Sequence, residues 1–147
     1  MRISTKGRYG LRALVDMAMN PVGQHVALYS IAERQDISES YLEQVFAALR
    51  KAGIVKSIKG AQGGYVLAES SSKITVGKIL RILEGDPTVI NESEDLSDKK
   101  NIDYCIKLNV WDKMNEALSK VADSITLEDL VSNYKELNGS LSMMFYI

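Results

Sequence analysis

The chain of 147 residues contains a single cysteine, Cys105, and a single histidine, His25. One cysteine excludes an intrachain disulfide and favours a reducing compartment. One cysteine and one histidine cannot supply the four side-chain ligands of a closed metal site, so we expect no metal ion. The sequence also offers no nucleophile paired with a base. We therefore expect no catalytic residues and no enzymatic activity.

Long apolar runs are also missing from the sequence. No stretch approaches the ~20 residues that a transmembrane helix needs. The basic N-terminus is not followed by the apolar block and small-residue cleavage site of a signal peptide. With 46% hydrophobic residues, the chain can form a compact domain with a core. We expect a cytoplasmic protein that makes no contact with a membrane.

Acidic side chains are scarce in the first part of the chain. Residues 1–64 hold nine Lys and Arg against five Asp and Glu, a net charge of +4, whereas the remainder carries −5. This asymmetry favours a first part that binds a polyanion, although a split of this size also arises by chance.

Apolar residues repeat with the period of a helix in three segments between residues 4 and 85. The spacing predicts helices over 4–20, 38–53 and 75–85. A shorter helix is predicted to begin at Ser30, where Ser30 and Glu33 form a capping box. A tight corner separates this short helix from the helix that Ser38 caps.

A glycine-rich segment, Lys59 to Gly64, lies between two strand-like runs that follow the second long helix. A hairpin with a basic, glycine-rich tip is predicted there. Helix, short helix, corner, helix and hairpin are the order of a winged helix-turn-helix. We therefore predict a mainly α fold with a small β-hairpin wing, in which residues 1–85 form a DNA-binding domain.

The helix at 38–53 would serve as the recognition helix. Its outer face offers Glu43, which can accept from a cytosine amino group, and Gln44, which can pair with adenine. Hydroxyls at its start and basic residues at its end suit phosphates. Alternatively, the hairpin is an ordinary one with a glycine-rich turn.

The second half of the chain contains another helical pattern. Residues 86–103 are polar and acidic without a period, and we predict a flexible linker there. Residues 104–123 are predicted to form a long helix. A short helix is predicted to follow from Thr126 to about Tyr134, and residues 135–147 form an apolar C-terminal tail without assigned structure.

Four segments carry a resemblance to a known family. "MRISTKGRYGLRAL", "ISESYLEQVFAALRKAGIVKSIKGAQGGYVL", "ITVGKILRILEG" and "ITLEDLV" resemble the Rrf2 family of winged-helix transcription regulators. The resemblance implies a homodimer that binds palindrome-like operators in double-stranded DNA through two recognition helices and two wings. The family's wing often has arginine where this chain has Lys59, so phosphate contact is favoured over base reading at that position.

The residue pattern and the resemblance together give a set of candidate DNA-binding residues. They are Lys6, Arg8, Ser38, Ser40, Tyr41, Glu43, Gln44, Arg50, Lys51, Lys59, Gly60, Gln62, Gly63 and Gly64.

The resemblance also implies that the long helix of each subunit packs against its mate. Apolar residues in this region follow the spacing of a short heptad seam. The candidate dimerisation residues are Leu108, Trp111, Met114, Leu118, Val121 and Ile125. Alternatively, the same stripe is part of the core of a monomer.

Cluster-binding members of the family place three cysteines around the start of the dimerisation helix, whereas this chain has only Cys105 and carries Leu108 in place of a histidine. We therefore expect no cofactor. Three interpretations of Cys105 remain: a half-buried apolar residue, a redox-sensitive thiol near a helix N-terminus and Lys107, or a ligand of an iron–sulfur cluster shared between subunits.

The final residues "MFYI" resemble the C-terminus of family members that repress cysteine metabolism without a cluster. Those members are controlled by a cysteine-biosynthesis enzyme that binds to them. The resemblance thus implies a repressor of sulfur or cysteine metabolism genes that is controlled by a partner enzyme or a metabolite. The alternative function is an iron–sulfur or thiol-based redox-sensing regulator that uses Cys105.

Overall fold

The structure is a computed structural model that describes residues 2–86, 88–89 and 101–145, with side chains as far as residue 139. The described residues form a mainly helical fold with a two-stranded antiparallel sheet, as predicted. The α-helices are α1 (Thr5–Ala18), α2 (Leu28–Gln35), α3 (Glu39–Lys51), α4 (Val76–Glu84), α5 (Ile102–Ile106), α6 (Asp112–Asp123) and α7 (Leu127–Phe145). The strands are β1 (Val55–Ile58) and β2 (Gly64–Leu67), a 3-10 turn occupies Ser71–Lys73, and a π-helical segment occupies Lys107–Trp111.

The core lies between α1, α2, α3 and α4. The face of α3 that the sequence predicts to be inward is buried, and it consists of Leu42, Val45, Phe46 and Leu49. Removing each such side chain from water contributes roughly 1.5–3 kcal/mol. Leu127, the first residue of α7, is also fully buried, so the C-terminal part of the chain joins the same core.

The second helix begins earlier than the sequence predicts. The predicted start is Ser30, but α2 begins at Leu28 after Ala27, which makes no side-chain cap. The Ser30 amide already donates to the Ala27 carbonyl at 3.1 Å. Leu28 is buried, and tertiary packing stabilises helical turns that local capping does not select. The predicted capping box at Ser30 and Glu33 is therefore wrong.

Asp16 of α1 is buried although it carries a charge, and the sequence pattern does not single it out. Its carboxylate accepts hydrogen bonds from Arg34 Nη2 at 2.7 Å, Arg34 Nε at 3.0 Å and Gln35 Nε2 at 2.8 Å. The hydrogen bond with Asp16 raises the pKa of Arg34. Because a buried carboxylate is costly unless it is paired, these three residues stabilise the packing of α1 against α2.

The N-terminus of α1 is capped by a residue from the end of α4. Ser4 makes no side-chain cap for its own helix. Instead, Glu84 Oε1 accepts hydrogen bonds from Ser4 N at 2.9 Å, Ser4 Oγ at 2.6 Å and Gly7 N at 2.9 Å. These bonds, chiefly the one from the Ser4 hydroxyl, lower the pKa of Glu84. The carboxylate also opposes the positive end of the helix dipole.

Glu84→Ala is expected to lower the free energy of unfolding by about 1 kcal/mol at neutral pH, because the start of α1 loses its acceptor. The folded pKa of Glu84 is lowered, so its contribution is complete above the ordinary pKa and is lost as the pH falls through the folded pKa. Urea unfolding at neutral pH and at about pH 3 measures both effects. The difference between wild type and variant should shrink in acid.

Glu84→Gln is the control for this prediction, since it keeps an acceptor oxygen without the charge. Its stability at neutral pH should lie between wild type and Glu84→Ala. A difference from wild type that is equal at both pH values would contradict a role for the carboxylate charge.

The predicted long helix over 104–123 is a continuous helical stretch from Ile102 to Asp123 that contains the π-helical segment. Asn101 caps it, since Asn101 Oδ1 accepts from Tyr104 N at 2.7 Å. Most of the predicted linker over 86–103, namely residues 87 and 90–100, lies outside the described residues. Within the described part, the Val89 amide donates to Asn115 Oδ1 of α6 at 2.8 Å.

The last helix is longer than the sequence predicts. The cap at Thr126 is present, because Thr126 Oγ1 accepts from Asp129 N and Asp129 Oδ2 accepts from Thr126 N. However, α7 continues to Phe145, so the predicted end near Tyr134 is wrong, and residues 135–145 of the tail, whose structure the sequence leaves open, are helical. Gly139 lies inside the helix, where glycine costs ~1 kcal/mol without ending it. No helix in the described ranges has both the length and the apolarity needed to cross a membrane.

Candidate nucleic-acid interface

The connection between α2 and α3 is the predicted tight corner. Asp36 has a positive φ of 53°, a conformation that Asp tolerates better than most residues. The Ile37 amide donates to the Ala32 carbonyl at 3.0 Å. Ser38 then caps α3 as predicted, because its Oγ accepts from Tyr41 N at 3.3 Å. α2, the corner and α3 together form the helix-turn-helix.

The outer face of α3 is polar and exposed. Its opposite face is buried in the core, which holds the helix in one orientation. A helix about 10–12 Å across fits a major groove that is ~12 Å wide. The exposed residues of α3 that suit DNA are Ser40, Glu43, Gln44, Arg50 and Lys51. All five are among the predicted contacts.

Two other predicted contacts, Ser38 and Tyr41, have roles within the fold. Ser38 Oγ is the cap of α3 and lies 3.1 Å from Ser40 Oγ. Tyr41 is half-buried, and its ring packs edge-on against Tyr9 of α1, with ring centroids 6.0 Å apart. Their DNA contacts remain predictions, because each side chain also stabilises the position of α3.

The wing is an antiparallel pair in which Val55 lies opposite Leu67 and Ile58 opposite Gly64. Its tip exposes Lys59, Gly60 and Gln62, as the predicted DNA contact requires. Gly60 has a φ of 122° with open space around it, a conformation that side chains other than glycine rarely adopt. A glycine there lets the tip approach another molecule closely.

Gly63 and Gly64 have reasons inside the fold to be glycine. A Cβ on Gly63 would collide with the Ile58 carbonyl, and a Cβ on Gly64 would collide with the Val26 carbonyl. Val26 and Tyr65 exchange two backbone hydrogen bonds of 2.8 Å, which hold the wing against the loop between α1 and α2. These two glycines position the wing, and their predicted DNA contact is not needed to explain them.

The predicted contacts on α1 are less directly placed. Lys6 is exposed. Arg8 lines a groove of about 410 Å³ between α1 and α7, whose other walls include Leu130 and Tyr134. The Arg8 guanidinium carbon lies 5.8 Å from the centre of the Tyr9 ring. The DNA contact of Arg8 therefore stays a prediction.

Two exposed side chains near this surface were not selected from the sequence. Lys56 lies on β1 beside the wing tip, and Tyr29 lies on α2 with 61% of its surface exposed. Its positive charge next to the basic wing tip could have indicated Lys56. Tyr29 precedes the predicted helix start at Ser30, so no helical spacing indicates which way it faces.

An apolar stripe runs along the helical stretch from Ile102 to Asp123. None of the residues of α5, the π-helical segment and α6 is buried. Of the predicted dimerisation residues, Leu108, Met114 and Val121 are exposed, whereas Trp111, Leu118 and Ile125 are half-buried. The stretch packs against α4, but none of these six residues belongs to the buried core of the described chain. Their role in dimerisation stays a prediction.

Cys105 is exposed at the surface of α5, so the interpretation as a half-buried apolar residue is wrong. Asn109 Nδ2 lies 3.6 Å from the Cys105 sulfur. Lys107 Nζ donates to both carboxylate oxygens of Asp112 at 2.9 Å.

A cluster of ligating side chains is not found at this position. Within the described ranges, no three His, Cys, Asp or Glu side chains gather to hold a metal ion. An iron–sulfur cluster is bound mainly by thiolates, and this chain contributes one. The described residues therefore do not by themselves supply the ligands of a cluster.

Comparisons with known proteins agree with this geometry. The profile of the Rrf2 family, described as an iron-dependent transcriptional regulator, matches residues 3–133. The chain is 43% identical over 147 residues to the HTH-type transcriptional regulator CymR of Bacillus subtilis, and the match covers all of both chains. The solved structure of that protein, described as the global cysteine regulator, matches 90% of this chain and 98% of its own with a TM-score of 0.73 at 42% identity.

Two further solved structures are similar. IscR of T. potens is 42% identical, with a TM-score of 0.70 and coverage of 93% of this chain and 90% of its own. An oxidised form of Staphylococcus aureus CymR is 40% identical, with a TM-score of 0.67 and coverage of 89% and 96%. The predicted winged helix-turn-helix fold is confirmed. The chain belongs to the Rrf2 family of transcriptional regulators.

Proposed function

We propose that the protein is a homodimeric, sequence-specific DNA-binding repressor of sulfur or cysteine metabolism genes. The observation that carries this proposal is the exposed polar face of α3, whose opposite face is held in the core. The cysteine-related assignment rests on likeness to CymR of B. subtilis, which is described as a global cysteine regulator. Such a regulator acts in the cytoplasm, where bacterial DNA lies.

In this proposal, α3 reads the bases, and the residues around it contact the DNA backbone. Glu43 and Gln44 contact base edges in the major groove. The wing tip follows the adjacent phosphates through Lys59 and the exposed backbone of Gly60. The further phosphate contacts are Lys6, Arg8, Ser38, Ser40, Tyr41, Arg50, Lys51, Gln62, Gly63 and Gly64.

The dimer is held by the apolar stripe on the helical stretch from Ile102 to Asp123. Met114 is 45% exposed and Val121 is 60% exposed, which is unfavourable in a monomer but suits a second copy of the same helix. A two-fold dimer places two recognition helices about one helical turn of DNA apart, roughly 34 Å. The operator is therefore palindrome-like.

The effector is assigned to a partner enzyme of cysteine biosynthesis or to a metabolite. α7 provides a surface for such a partner, because Tyr134 and Leu137 are about half exposed or more on a helix that continues to Phe145. Exposed apolar side chains on one helix suit a protein contact.

A second candidate function is thiol-based redox sensing through Cys105. The exposure of Cys105 favours it, because an oxidant must reach the sulfur. S. aureus CymR has been solved in an oxidised form, which supports such chemistry in a relative. Oxidised and reduced protein would then differ in their affinity for the operator, whereas Cys105→Ser would bind equally under both conditions.

A salt titration of DNA binding tests the proposed function. Each phosphate contact changes the slope of log affinity against log salt concentration by about −0.9, so several contacts produce a steep decline. Fluorescence anisotropy with a labelled duplex gives this slope. A flat response would contradict direct DNA binding.

Lys59→Ala is expected to weaken binding to specific and random duplexes by the same factor. Each wing loses one phosphate contact, so the magnitude of the salt slope should fall by about 2 in the dimer. Lys135→Ala on α7 is the matched control and should leave the slope unchanged, because Lys135 lies outside the proposed interface. A loss of affinity confined to the specific duplex would contradict the assignment of Lys59 to phosphate.

A further inference from the structure

The C-terminal end of α6 is joined to the DNA-binding domain by a small set of contacts. The Val76 amide of α4 donates to the Ile125 carbonyl at 2.8 Å, and the Leu127 amide donates to the Ile74 carbonyl at 2.9 Å. These two hydrogen bonds form a β-bridge between the segments before α4 and after α6. α4 is also the helix of the domain against which α6 packs. We call this region the α4–α6 joint.

The α4–α6 joint contains a two-pronged ion pair. Arg81 Nη1 donates to Asp123 Oδ1 at 2.7 Å, and Arg81 Nη2 donates to Asp123 Oδ2 at 2.8 Å. The paired hydrogen bonds restrict the relative orientation of the two side chains more than a single contact does. The pair is partly exposed, so it contributes little to stability. Its geometry therefore suggests a role in orientation.

Gly77 brings α4 and α6 into close approach at the same point. Gly77 is buried, and a Cβ there would collide with Asp123 Oδ1 and lie 3.1 Å from Arg81 Nη1. The absence of a side chain at Gly77 leaves room for the carboxylate to meet the guanidinium. Gly77 and Arg81 of α4 and Asp123 of α6 thus fix the angle between the two helices.

A change of the angle between α4 and α6 produces a large displacement at the far end of the helical stretch. The helical stretch from Ile102 to Asp123 is roughly 30 Å long at 1.5 Å per residue. A rotation of about 10° at the α4–α6 joint moves its far end by roughly 5 Å. Neighbouring base pairs are about 3.4 Å apart along the DNA axis. A small change of this angle therefore moves the far end of the helical stretch, relative to the DNA-binding domain, by more than the spacing of one base pair.

We propose that Arg81 and Asp123, with Gly77, are positioning residues that set the half-site spacing at which the dimer binds DNA. The inference rests on the proposed dimeric DNA-binding function. The residues themselves contact neither DNA nor the second subunit in this account. They determine specificity by fixing the direction in which each DNA-binding domain leaves the dimerisation helix.

The test measures affinity for a series of duplexes that differ only in spacer length. The probes carry the half-site enriched from a random duplex library, with spacers from two base pairs shorter to two base pairs longer than the best one. Arg81→Gln should reduce the discrimination between best and neighbouring spacings by about fivefold, the size that an exposed ion pair supports. Arg81→Lys, which keeps the charge but not the fork, should lose most of the same discrimination.

Lys78→Gln is the matched control, because it removes the same charge from the same helix. Lys78 pairs with Glu69 at 2.8 Å and has no part in the α4–α6 joint. Gly77→Ala is a second test variant. The added methyl group displaces the Asp123 carboxylate, whereas alanine itself favours the helix. A broad spacing preference with an unchanged melting temperature would therefore show that the variant changes the orientation of α6 and does not unfold the protein.

The outcomes are distinguishable. The inference is supported if wild type and Lys78→Gln prefer one spacing sharply and Arg81→Gln prefers a broad range of spacings. Arg81→Gln and Gly77→Ala with the wild-type spacing profile would overturn it while leaving the proposed function intact. A wild-type protein that is monomeric or ignores spacing would overturn the proposed function itself and the inference with it.

Discussion

Met114→Asp is expected to convert the protein to monomers and to weaken operator binding by at least about 100-fold. Met114 lies on the apolar stripe of α6, and 45% of its surface is exposed in one subunit. A carboxylate in an apolar interface loses its hydration without gaining a partner. A monomer has only one recognition helix to offer, so binding loses the gain of engaging two half-sites at once.

Sedimentation measures the oligomeric state, and fluorescence anisotropy measures the affinity for the operator. Lys113→Asp is the control, because it places a carboxylate on the preceding residue of α6, which lies outside the apolar stripe. The control should remain dimeric and bind the operator with nearly wild-type affinity. A dimeric Met114→Asp variant with full affinity would show that the apolar stripe has another role.

Gln44→Ala is expected to cost ~1–3 kcal/mol at each half-site and to relax the base preference at one position of each. Gln44 is exposed on α3, and a glutamine amide can form two hydrogen bonds with adenine in the major groove. Because the dimer carries two copies, the total loss on a symmetric operator is about 2–6 kcal/mol. Binding to random duplex should change far less, because phosphate contacts are retained.

Gln62→Ala is the comparison for this prediction, since it removes the same amide from the wing tip. It should leave the base preference unchanged, because the wing is assigned to phosphates. The test compares wild type and both variants on operators substituted one base pair at a time. Equal losses for Gln44→Ala on specific and random DNA would show that α3 is not the recognition helix.

The helix-turn-helix could be predicted from the sequence because its determinants are local. The apolar period of α3, the cap at Ser38 and the glycine-rich tip after Ile58 each act over a few residues. Their order along the chain is enough to indicate a winged helix. The exposure of Glu43 and Gln44 then follows, because one face of α3 has to be buried.

The contacts that hold the helices together could not be predicted in the same way. Glu84 caps α1 across 80 residues, and Asp16 pairs with Arg34 across 18. No spacing rule joins such residues, because the fold brings them together. Arg81 and Asp123 belong to the same class, with a sequence separation of 42 positions.

Helix boundaries were the least predictable feature, since packing can outweigh local preference. Leu28 extends α2 because it is buried, although Ser30 offers the better cap. Gly139 does not end α7, although glycine disfavours a helix. The π-helical segment at Lys107–Trp111 has no sequence pattern that the heptad spacing reveals.

Selection of duplexes from a random library by the wild-type dimer tests the central claim most directly. Enrichment of a palindrome-like sequence, with half-site centres about one helical turn apart, is the result that a dimer reading DNA through α3 predicts. The enriched duplex should bind at least about 1,000-fold more tightly than random duplex at the same salt concentration. A bound pool with the base composition of the input library would contradict sequence-specific DNA binding.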